Sequence, residues 1–548
     1  ALPSSIPWLN TYLFTIAQSI MVVLVVAEIT TRDKRSDTLS VFHVRPLSNL
    51  KYIIGRARGI AKVFIELNLI ALLLALGINL WGSPLDPWLY LFYLITYSLP
   101  SLLFMIGLSL LVARWIKHQS LILFVLLTYV GISYSYLPEI YRGTFDFLGI
   151  GIPNLFSSVT GHPNLLVYLL QRSAFLSMGL GCLGVTVWLF HRLSDRNELD
   201  RAKTGAFVLL LFGVLCCLGY FYIFQKDCIA SKRYTNTFLK YAGSQDLSMK
   251  QQDIIYKQQV NRIEVQAKLW IKNKTKRELP KMILYLNPAL KVQEITSKGE
   301  KISFLRENQV IIINQAIKPD KETILQVKYE GYIDERICYL DIPDKVREET
   351  RWLDPLWRYG KRYAFLKSDY TLLTPECLWY PVVIPPVNLG SNYATGKDFS
   401  TYMLQVIHPK DRTVISQGEC LEREDTTYFR PTERLTGISL CIGSYKKEVV
   451  KMKSFSIEAY YIDNAHWKMF PFKELQNIFP VICETTLKDY PFRELRVVEI
   501  PATFTSYARN WKGGSDWIQP ALVFIPERAI TLPDINFFRK DQNLSIIG

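Results

Sequence analysis

Histidine is scarce in this sequence, and the spacing of the few present excludes one common metal motif. The chain contains His43, His118, His162, His191, His408 and His466. No two of them have the i, i+4 spacing that places both imidazoles of a His-Glu-x-x-His motif on one face of a helix. The sequence therefore predicts no metal site of this kind.

Closely spaced cysteine pairs are also absent. The nine cysteines include no Cys-x-x-Cys, which argues against a structural zinc site. Cys182, Cys216 and Cys217 lie in apolar runs and are expected to act as packing residues. If the C-terminal half is extracytoplasmic, Cys420 and Cys441 are the expected disulfide partners, because they lie on predicted neighbouring strands; the sequence leaves the pairing open.

Neither glycine-rich pattern in the chain predicts a nucleotide site. Residues 390–397 (GSNYATGK) have one residue too many for a P-loop, and Asp398 replaces the required Ser or Thr. Residues 179–184 match GxGxxG but lie inside an apolar run with no preceding strand, so close helix packing is expected there. The sequence thus shows no ATPase of its own.

What the chain does have is an apolar N-terminal half and a polar C-terminal half. Its 548 residues are enough for two to four domains, and 49% are hydrophobic. The net charge is +15. Much of the basic charge flanks apolar runs and the remaining Lys is interleaved with Glu and Asp, so nucleic acid is not expected as a partner.

Six apolar stretches are long enough to cross a lipid bilayer as helices, at about 20 residues each. They are residues 9–29, 57–82, 87–113, 119–136, 164–190 and 205–224. The connections at 30–56, 114–118 and 191–203 are rich in Lys and Arg, which places them in the cytoplasm. Residue 1 and everything after residue 224 are then expected outside.

The cytoplasmic stretch 38–59, TLSVFHVRPLSNLKYIIGRARG, is short, basic and amphipathic. Such a segment between two spans suits docking on a cytoplasmic protein. The alternative is a solvated loop whose charges only fix the topology. The orientation and the spans that follow favour docking.

Three ionisable residues lie within predicted spans, where they are candidates for function. Lys62 and Glu66 are spaced i, i+4 and are expected to pair with each other. Arg172 is expected to snorkel or to have a structural partner, with a role in a transport pathway as the alternative. The outer segment 137–162 is semi-apolar and contains several Gly and Pro, which predicts short interfacial or re-entrant helices.

Residues 1–203 resemble the ABC-2 type permease family. The resemblance rests on the order of spans and on Arg45-Pro46-Leu47-Ser48-Asn49, Lys51-Tyr52 and Gly55-Arg56. It implies a separate cytoplasmic ATPase that binds ATP, and a second permease half or a second copy of this chain. The residues implied to couple to the ATPase are Phe42, Arg45, Pro46, Tyr52 and Arg56. Two features depart from the family: a span that normally precedes the first one is missing, and the span at 204–224 is additional.

The C-terminal half divides into three parts by its pattern. Residues 225–260 are polar with few strand signals and predict a stalk. Residues 261–453 alternate apolar and polar residues in short runs, which predicts an all-β sandwich. Residues 454–548 change to a mixed α/β pattern, with strands near 455–463, 494–501 and 520–527 and a helix near 466–488.

Residues 261–530 resemble the M1, aminopeptidase N-like, metallopeptidase family. The matching pieces are Tyr329-Glu330-Gly331-Tyr332, Leu378-Trp379-Tyr380-Pro381, Ile442-Gly443-Ser444-Tyr445, Asp489-Tyr490-Pro491-Phe492 and Val497-Val498-Glu499-Ile500-Pro501. They imply a β domain followed by the start of a thermolysin-like catalytic domain, with zinc only if a motif follows downstream. One helix and three strands bury little surface, so further sequence is expected.

The M1 resemblance implies one substrate-binding segment. Gly513, Gly514 and Asp516 occupy the place of the family's exopeptidase motif but lack its Met and Asn. A glycine-rich surface turn between strands is the alternative interpretation.

These patterns predict a permease subunit of an ABC-type export system in a bacterial cytoplasmic (inner) membrane, with an extracytoplasmic M1-like domain that binds, gates or processes cargo. The cargo is expected to be a peptide or an envelope protein. The alternatives are a membrane-anchored zinc aminopeptidase and an envelope scaffold with a non-catalytic binding domain. An anchor needs only one span and no docking segment, so six spans favour transport.

Overall fold

The fold is taken from a computed structural model of the chain. It describes residues 4–35, 48–79, 86–116, 118–152, 154–162, 164–190, 196–242, 246–343, 346–347, 361–387, 398–451, 455–462, 490–508 and 515–527. The chain forms two compact units. The first runs to Lys226, and the second comprises Asp227–Arg347 and Lys361–Glu527.

The first unit is helical because its sequence consists of long apolar runs with few helix breakers. Its helices are α1 (Ser5–Arg35), α2 (Asn49–Asn79), α3 (Pro87–Tyr93), α4 (Leu99–Trp115), α5 (Gln119–Ser135), α6 (Leu165–Trp188) and α7 (Arg196–Lys240). The boundary between the two units falls within α7. Asp86 caps α3 by accepting the Trp88 N–H at 3.0 Å, and Pro87 occupies the first helical position.

Five segments are long and apolar enough to cross a membrane: Ile6–Arg32, Asn49–Gly77, Pro87–Trp115, Leu165–Trp188 and Leu199–Lys240. The helix α5 is also apolar but has only 17 residues. Each of the six predicted apolar stretches therefore lies largely on one of these helices.

The segment Pro87–Trp115 is interrupted by a π-helical turn at Leu94–Ser98. Pro100 lies two residues after this turn, and its ring nitrogen cannot donate to the Thr96 carbonyl as a regular helix requires. The widened turn accommodates this missing bond, and it places Ser98 among buried residues. Such turns are frequent at functional sites.

The GxGxxG pattern packs helices, as its position in an apolar run predicts. A Cβ on Gly179 of α6 would lie 2.5 Å from the Phe104 Cα of α4, and one on Gly107 of α4 would clash with the Gly179 carbonyl. Gly181 and Gly184 make the same kind of approach to α7, where a Cβ would lie 2.7 Å from atoms of Leu210 and Ala206. Small residues thus let three helices approach closely.

The outer segment 137–162 is mostly turns. Even the single 3-10-like turn in its described residues, Ile140–Gly143, contains left-handed backbone at Tyr141 (φ 46°) and Arg142 (φ 53°), so the prediction of short helices is wrong. Glycines at positive φ explain this: Gly143 (φ 76°) and Gly149 (φ 73°) adopt a conformation that interrupts a helix. The apolar side chains of Phe147, Leu148 and Ile150 are nonetheless buried, which accounts for the semi-apolar composition.

The second unit is rich in β-strands. The strands are β1 (Leu247–Gln259), β2 (Arg262–Asn273), β3 (Met282–Tyr285), β4 (Leu290–Ser297), β5 (Glu300–Lys301), β6 (Phe304–Glu307), β7 (Val310–Ile313), β8 (Glu322–Gly331), β9 (Phe365–Leu366), β10 (Thr371–Leu373), β11 (Thr401–Ile407), β12 (Thr413–Ile415), β13 (Glu419–Arg423), β14 (Thr426–Arg430) and β15 (Leu440–Gly443). An eight-stranded sheet has the order β13-β14-β11-β1-β2-β8-β4-β5, a four-stranded sheet β12-β15-β10-β9, and a three-stranded sheet β3-β7-β6. The alternating residues of β2 and β8 supply core side chains such as Leu269 and Val327.

A mixed sheet follows, built from β16 (Tyr445–Lys451), β17 (Ser456–Ile462), β18 (Glu494–Ile500), β19 (Ile518–Gln519) and β20 (Leu522–Pro526). Its strand order is β16-β17-β18-β20-β19. β17, β18 and β20 are parallel, which agrees with the predicted change to an α/β pattern. The predicted helix near 466–488 lies outside the described residues.

Two predictions about the second unit's organisation need correction. Residues 225–260 are not a stalk, because α7 continues to Lys240 and β1 begins at Leu247. The alternation in β1 was hidden by its glutamines and by an exposed isoleucine: Ile254 and Tyr256 are buried in the core, whereas Asp253, Ile255 and Lys257 beside them are more exposed. The mixed sheet also begins earlier than residue 454, because β16 pairs with β17.

The predicted disulfide between Cys420 and Cys441 does not form. Cys420 is exposed on β13, whereas Cys441 is buried on β15 in a different sheet. The Cys441 Sγ lies 3.1 Å from the Tyr445 hydroxyl. Burial raises the pKa of the Cys441 thiol to about 11, so it stays protonated at neutral pH.

Candidate functional site

A buried hydrogen-bond network surrounds Asp516, just before β19. The Asp516 side chain, whose residue is 1% exposed, accepts a hydrogen bond from the Tyr339 hydroxyl at 2.7 Å. The Asp516 N–H donates to the Ser506 hydroxyl oxygen at 2.7 Å, and that hydroxyl lies 2.8 Å from the Tyr339 oxygen. We call Asp516, Tyr339, Ser506 and Glu376 the Asp516 cluster; it joins segments up to 177 residues apart.

Glu376 completes the Asp516 cluster from another segment. It lies in the 3-10 turn Pro375–Cys377, is buried, and accepts the Tyr339 N–H at 3.3 Å. Tyr339 therefore contacts one acidic side chain with its backbone and another with its hydroxyl. Burial, followed by the negative charges of Asp516 and Glu376, raises the pKa of Tyr339 well above its usual value. The phenol is thus kept protonated, as a hydrogen-bond donor.

Aromatic rings enclose one side of this network. The Tyr339 ring centroid lies 5.1 Å from those of Tyr363 and Tyr507. The Lys361 ammonium group donates to the Tyr507 hydroxyl at 3.2 Å and lies 5.6 Å from its ring centroid. These contacts exclude water, which strengthens the hydrogen bonds inside.

A second pair of carboxyl groups lies at the carboxyl edge of the parallel strands. Glu499, near the end of β18, accepts the Ile462 N–H at 2.9 Å, and Glu527, just after β20, accepts the Ala502 N–H at 3.1 Å. Burial, with a contribution from the charge of Glu527, raises the pKa of Glu499 to about 7. In open α/β sheets this edge is where ligands bind. Because its pKa lies near neutral pH, Glu499 is a candidate proton-binding group at this edge.

The raised pKa of Glu499 makes a pH-dependent stability prediction. A folded-state pKa above the unfolded value means that the native state binds more protons between the two values, so stability falls as pH rises through that window. Between about pH 5 and 8 the second unit should lose about 2–3 kcal/mol. Pulse proteolysis in urea would measure this loss, and Glu499→Gln should remove most of it. An unchanged pH dependence in that variant would contradict the assignment.

In the first unit, Arg172 is buried, so the prediction that it snorkels is wrong and the structural-partner interpretation is supported. Its guanidinium donates to the Phe147 carbonyl at 2.6 Å and lies 5.5 Å from the Tyr97 ring centroid. The adjacent Gln171 donates to the Gly143 and Asp146 carbonyls at 3.0 and 2.8 Å. These side chains satisfy irregular backbone that lipid could not solvate.

A closed ring of polar side chains links three candidate spans. Gln18 of α1 donates to the Ser98 hydroxyl at 2.9 Å, Ser98 donates to the Asn68 carbonyl oxygen at 2.8 Å, and Asn68 of α2 donates to the Gln18 carbonyl oxygen at 2.9 Å. All three residues are buried. We call this the amide ring. Its serine lies in the π-helical turn before α4.

The residues implied to couple to an ATPase are only partly described. Phe42, Arg45 and Pro46 lie outside the described residues. Tyr52 and Arg56 lie in the first turns of α2, and the Tyr52 ring centroid is 5.4 Å from that of Phe190, which follows α6. Asn49 reinforces this connection by donating to the Phe190 carbonyl at 2.8 Å.

The remaining predicted residues fall as follows. Lys62 and Glu66 lie 3.8 Å apart on an exposed face of α2, in agreement with their predicted pairing. Gly513 and Gly514 lie outside the described residues. Asp516 is buried in a network, so the interpretation of this residue as part of a surface turn is wrong.

Comparisons with known proteins give weak structural similarity to M1 zinc metallopeptidases. No family model and no curated protein matches the chain. An M1 zinc metallopeptidase from Deinococcus radiodurans is 13% identical, with a TM-score of 0.37, and the match covers 51% of this chain and 60% of that one. A two-domain M1 zinc metallopeptidase variant bound to L-tryptophan is 15% identical, with a TM-score of 0.36, and the match covers 48% and 60%. The chain spans about 60% of the length of these structures.

The zinc ion of such peptidases does not fit the described residues here. No group of three or more His, Cys, Asp or Glu side chains in the described part of the chain could hold a metal ion. His408 contacts the Pro409 carbonyl and the Thr427 hydroxyl, both at 2.8 Å, at the end of β11. His466 lies outside the described residues. We therefore assign no metal-dependent step to these side chains.

Sequence reasoning missed most of this chemistry. Tyr339, Ser506 and Glu376 lie in stretches with no recognisable motif. Their role is visible only from the hydrogen bonds that join them in the folded chain. Glu499 belongs to a stretch that resembles the M1 family, but nothing in the sequence indicates its proton affinity. Asn68 and Gln18 are polar residues within predicted spans, a signal that could have indicated the amide ring.

Proposed function

We propose that this chain is the membrane-spanning subunit of an ABC-type export system, driven by a separate cytoplasmic ATPase. Its second unit lies outside the cytoplasmic membrane and binds, gates or processes a peptide or protein cargo. A second permease half or a second copy of this chain completes the pathway. The observation that carries the proposal is the amide ring.

The amide ring supports transport over anchoring because its hydrogen bonds stabilise contacts between several membrane helices. An anchor needs one apolar helix, whereas the ring joins α1, α2 and the turn before α4 into one hydrogen-bonded body. Buried polar bonds between membrane helices contribute about 0.6–2 kcal/mol each. Such a body can move as a whole when one of its helices is displaced.

The start of α2 supports coupling to an ATPase. Residues 49–59 of the basic segment form the first turns of α2, and Tyr52 and Asn49 connect these turns to Phe190, which follows α6. A displacement of the docked segment would therefore reach two helices. In this proposal Phe42, Arg45, Pro46, Tyr52 and Arg56 form the coupling surface.

The second unit contributes cargo recognition in this proposal. Asp516 is held by Tyr339 and Ser506 and does not itself face solvent. The proposed contact with cargo therefore falls to Gly513 and Gly514, which precede it in the sequence. Zinc-dependent hydrolysis is not part of the proposal, because the described donors do not fit a zinc ion.

Charge reversal tests the coupling surface. Arg45→Glu combined with Arg56→Glu should abolish co-purification of the ATPase with the full-length chain, because a docked basic face would become acidic. Lys281→Glu combined with Lys291→Glu reverses the same number of basic side chains in the second unit and should retain the ATPase. Retention by the first variant, with an unchanged size-exclusion profile, would contradict the coupling assignment.

A further inference from the structure

A basic cavity lies beside the last part of α7, in the second unit. It has a volume of about 470 Å³ and is lined by Ile229, Lys232, Arg233, Asn236, Thr237, Lys240, Glu307 and Asn308. The helical residues recur every three or four positions, so they form one stripe along α7. The turn between β6 and β7 supplies the opposite wall.

The charge of this cavity is positive after its internal ion pair is counted. The Glu307 carboxylate accepts a hydrogen bond from the Tyr241 hydroxyl and forms an ion pair with the Lys240 ammonium group at 2.7 Å. This contact neutralises the one acidic lining residue. Lys232 and Arg233 remain exposed, and neither forms an ion pair with the described residues. Two cationic side chains thus face the cavity without a counter-charge.

The lining is also amphipathic. Ile229 is 65% exposed at the end of the stripe closest in sequence to the apolar run that ends at Phe224. Lys232 and Arg233 follow that run by about two helical turns. At the other end, the Asn308 amide donates to the Thr237 hydroxyl at 2.8 Å, which leaves its carbonyl oxygen as a polar lining group. An apolar residue toward the membrane and cations beyond it match the order of groups in a phospholipid.

We propose that this cavity binds the headgroup of an anionic phospholipid. Lys232 and Arg233 would hold the phosphate, Asn236 would hydrogen-bond the polar headgroup, and Ile229 would contact the first methylenes of an acyl chain. The site requires that α7 spans a membrane, but it does not require an ATPase or transport. It would fix the second unit to the lipid surface at the point where the chain leaves the bilayer.

Lipid binding by the purified full-length chain tests the proposal without any partner. In detergent, short-chain phosphatidylglycerol should bind the wild type, and Lys232→Gln combined with Arg233→Gln should weaken it about 30-fold. That factor corresponds to about 2 kcal/mol at 1.4 kcal/mol per tenfold change. The matched control, Lys281→Gln with Lys291→Gln, should bind like the wild type, and phosphatidylcholine should bind weakly to all three.

Two further probes identify the ligand class. Ile229→Asn should weaken phosphatidylglycerol binding and leave the competition by inorganic phosphate unchanged. Inorganic phosphate that binds as tightly as phosphatidylglycerol would overturn the lipid assignment in favour of a free anion. Equal phosphatidylglycerol affinities for the wild type and the Lys232/Arg233 variant would overturn the site altogether. Neither outcome depends on whether an ATPase co-purifies.

Discussion

Replacing Gly179 with valine is expected to destabilise the first unit by about 3 kcal/mol or more. A Cβ at this position would lie 2.5 Å from the Phe104 Cα, and the obstacle is the backbone of α4, which cannot rotate away as a side chain would. α4 and α6 must therefore separate. The separation would also loosen the contacts of Phe104 with Phe147 and Phe175, whose ring centroids lie 5.4 and 5.0 Å away.

Unfolding of the full-length chain in mixed micelles with increasing SDS would measure this loss. Gly131→Val on α5 is the matched control, because a Cβ there meets no atom within 4 Å. Both variants add the same β-branched side chain to a helix, so any difference reports packing between helices. Equal midpoints for the two variants would show that the α4–α6 approach is not close.

Asp516→Ala should destabilise the second unit by about 1.5–3 kcal/mol. The substitution removes the carboxylate acceptor of the Tyr339 hydroxyl and leaves that buried hydroxyl with the Ser506 oxygen alone, and each hydrogen bond to a charged group contributes about 1.5–3 kcal/mol. Tyr339→Phe should cost less, because the ring remains packed against Tyr363 and Tyr507 and the Asp516 N–H keeps its bond to Ser506.

Pulse proteolysis in urea would rank these variants, with Asp411→Ala as the control. The Asp411 side chain is 71% exposed and pairs with the neighbouring Arg412 at 3.5 Å, so its loss should change stability by less than about 0.5 kcal/mol. The combination of Asp516→Ala and Tyr339→Phe should cost less than the sum of the single changes, because the two residues share one bond. Full additivity would argue that they do not interact.

The features predicted correctly from sequence are those that depend on the pattern of apolar and polar residues within one short segment. Apolar runs of about 20 residues predicted the helices α1 and α6, because a helix needs about that many apolar residues to cross a bilayer. Alternation predicted β2 and β8 because each buries one face. The same reasoning failed for β1, where polar glutamines occupy positions that a simpler strand would make apolar.

The candidate sites depend on contacts between distant segments, which local patterns do not encode. The bond between Tyr339 and Asp516 spans 177 residues, and the amide ring joins Gln18 to Ser98 across 80. Arg172 looked like a side chain near a membrane surface because the outer segment that covers it has no regular structure. The disulfide prediction failed for a related reason, since neighbouring strands in sequence belong to different sheets.

The rate of ATP hydrolysis by the partner ATPase, measured with the full-length chain in phospholipid vesicles, tests the central claim most directly. We expect the chain to stimulate hydrolysis at least severalfold over the ATPase alone, and Arg45→Glu with Arg56→Glu to return the rate to that of the ATPase alone while the helical unit stays folded. An ATPase that neither binds the chain nor responds to it, together with chelator-sensitive hydrolysis of an aminoacyl substrate, would contradict the transport account and favour a membrane-anchored peptidase.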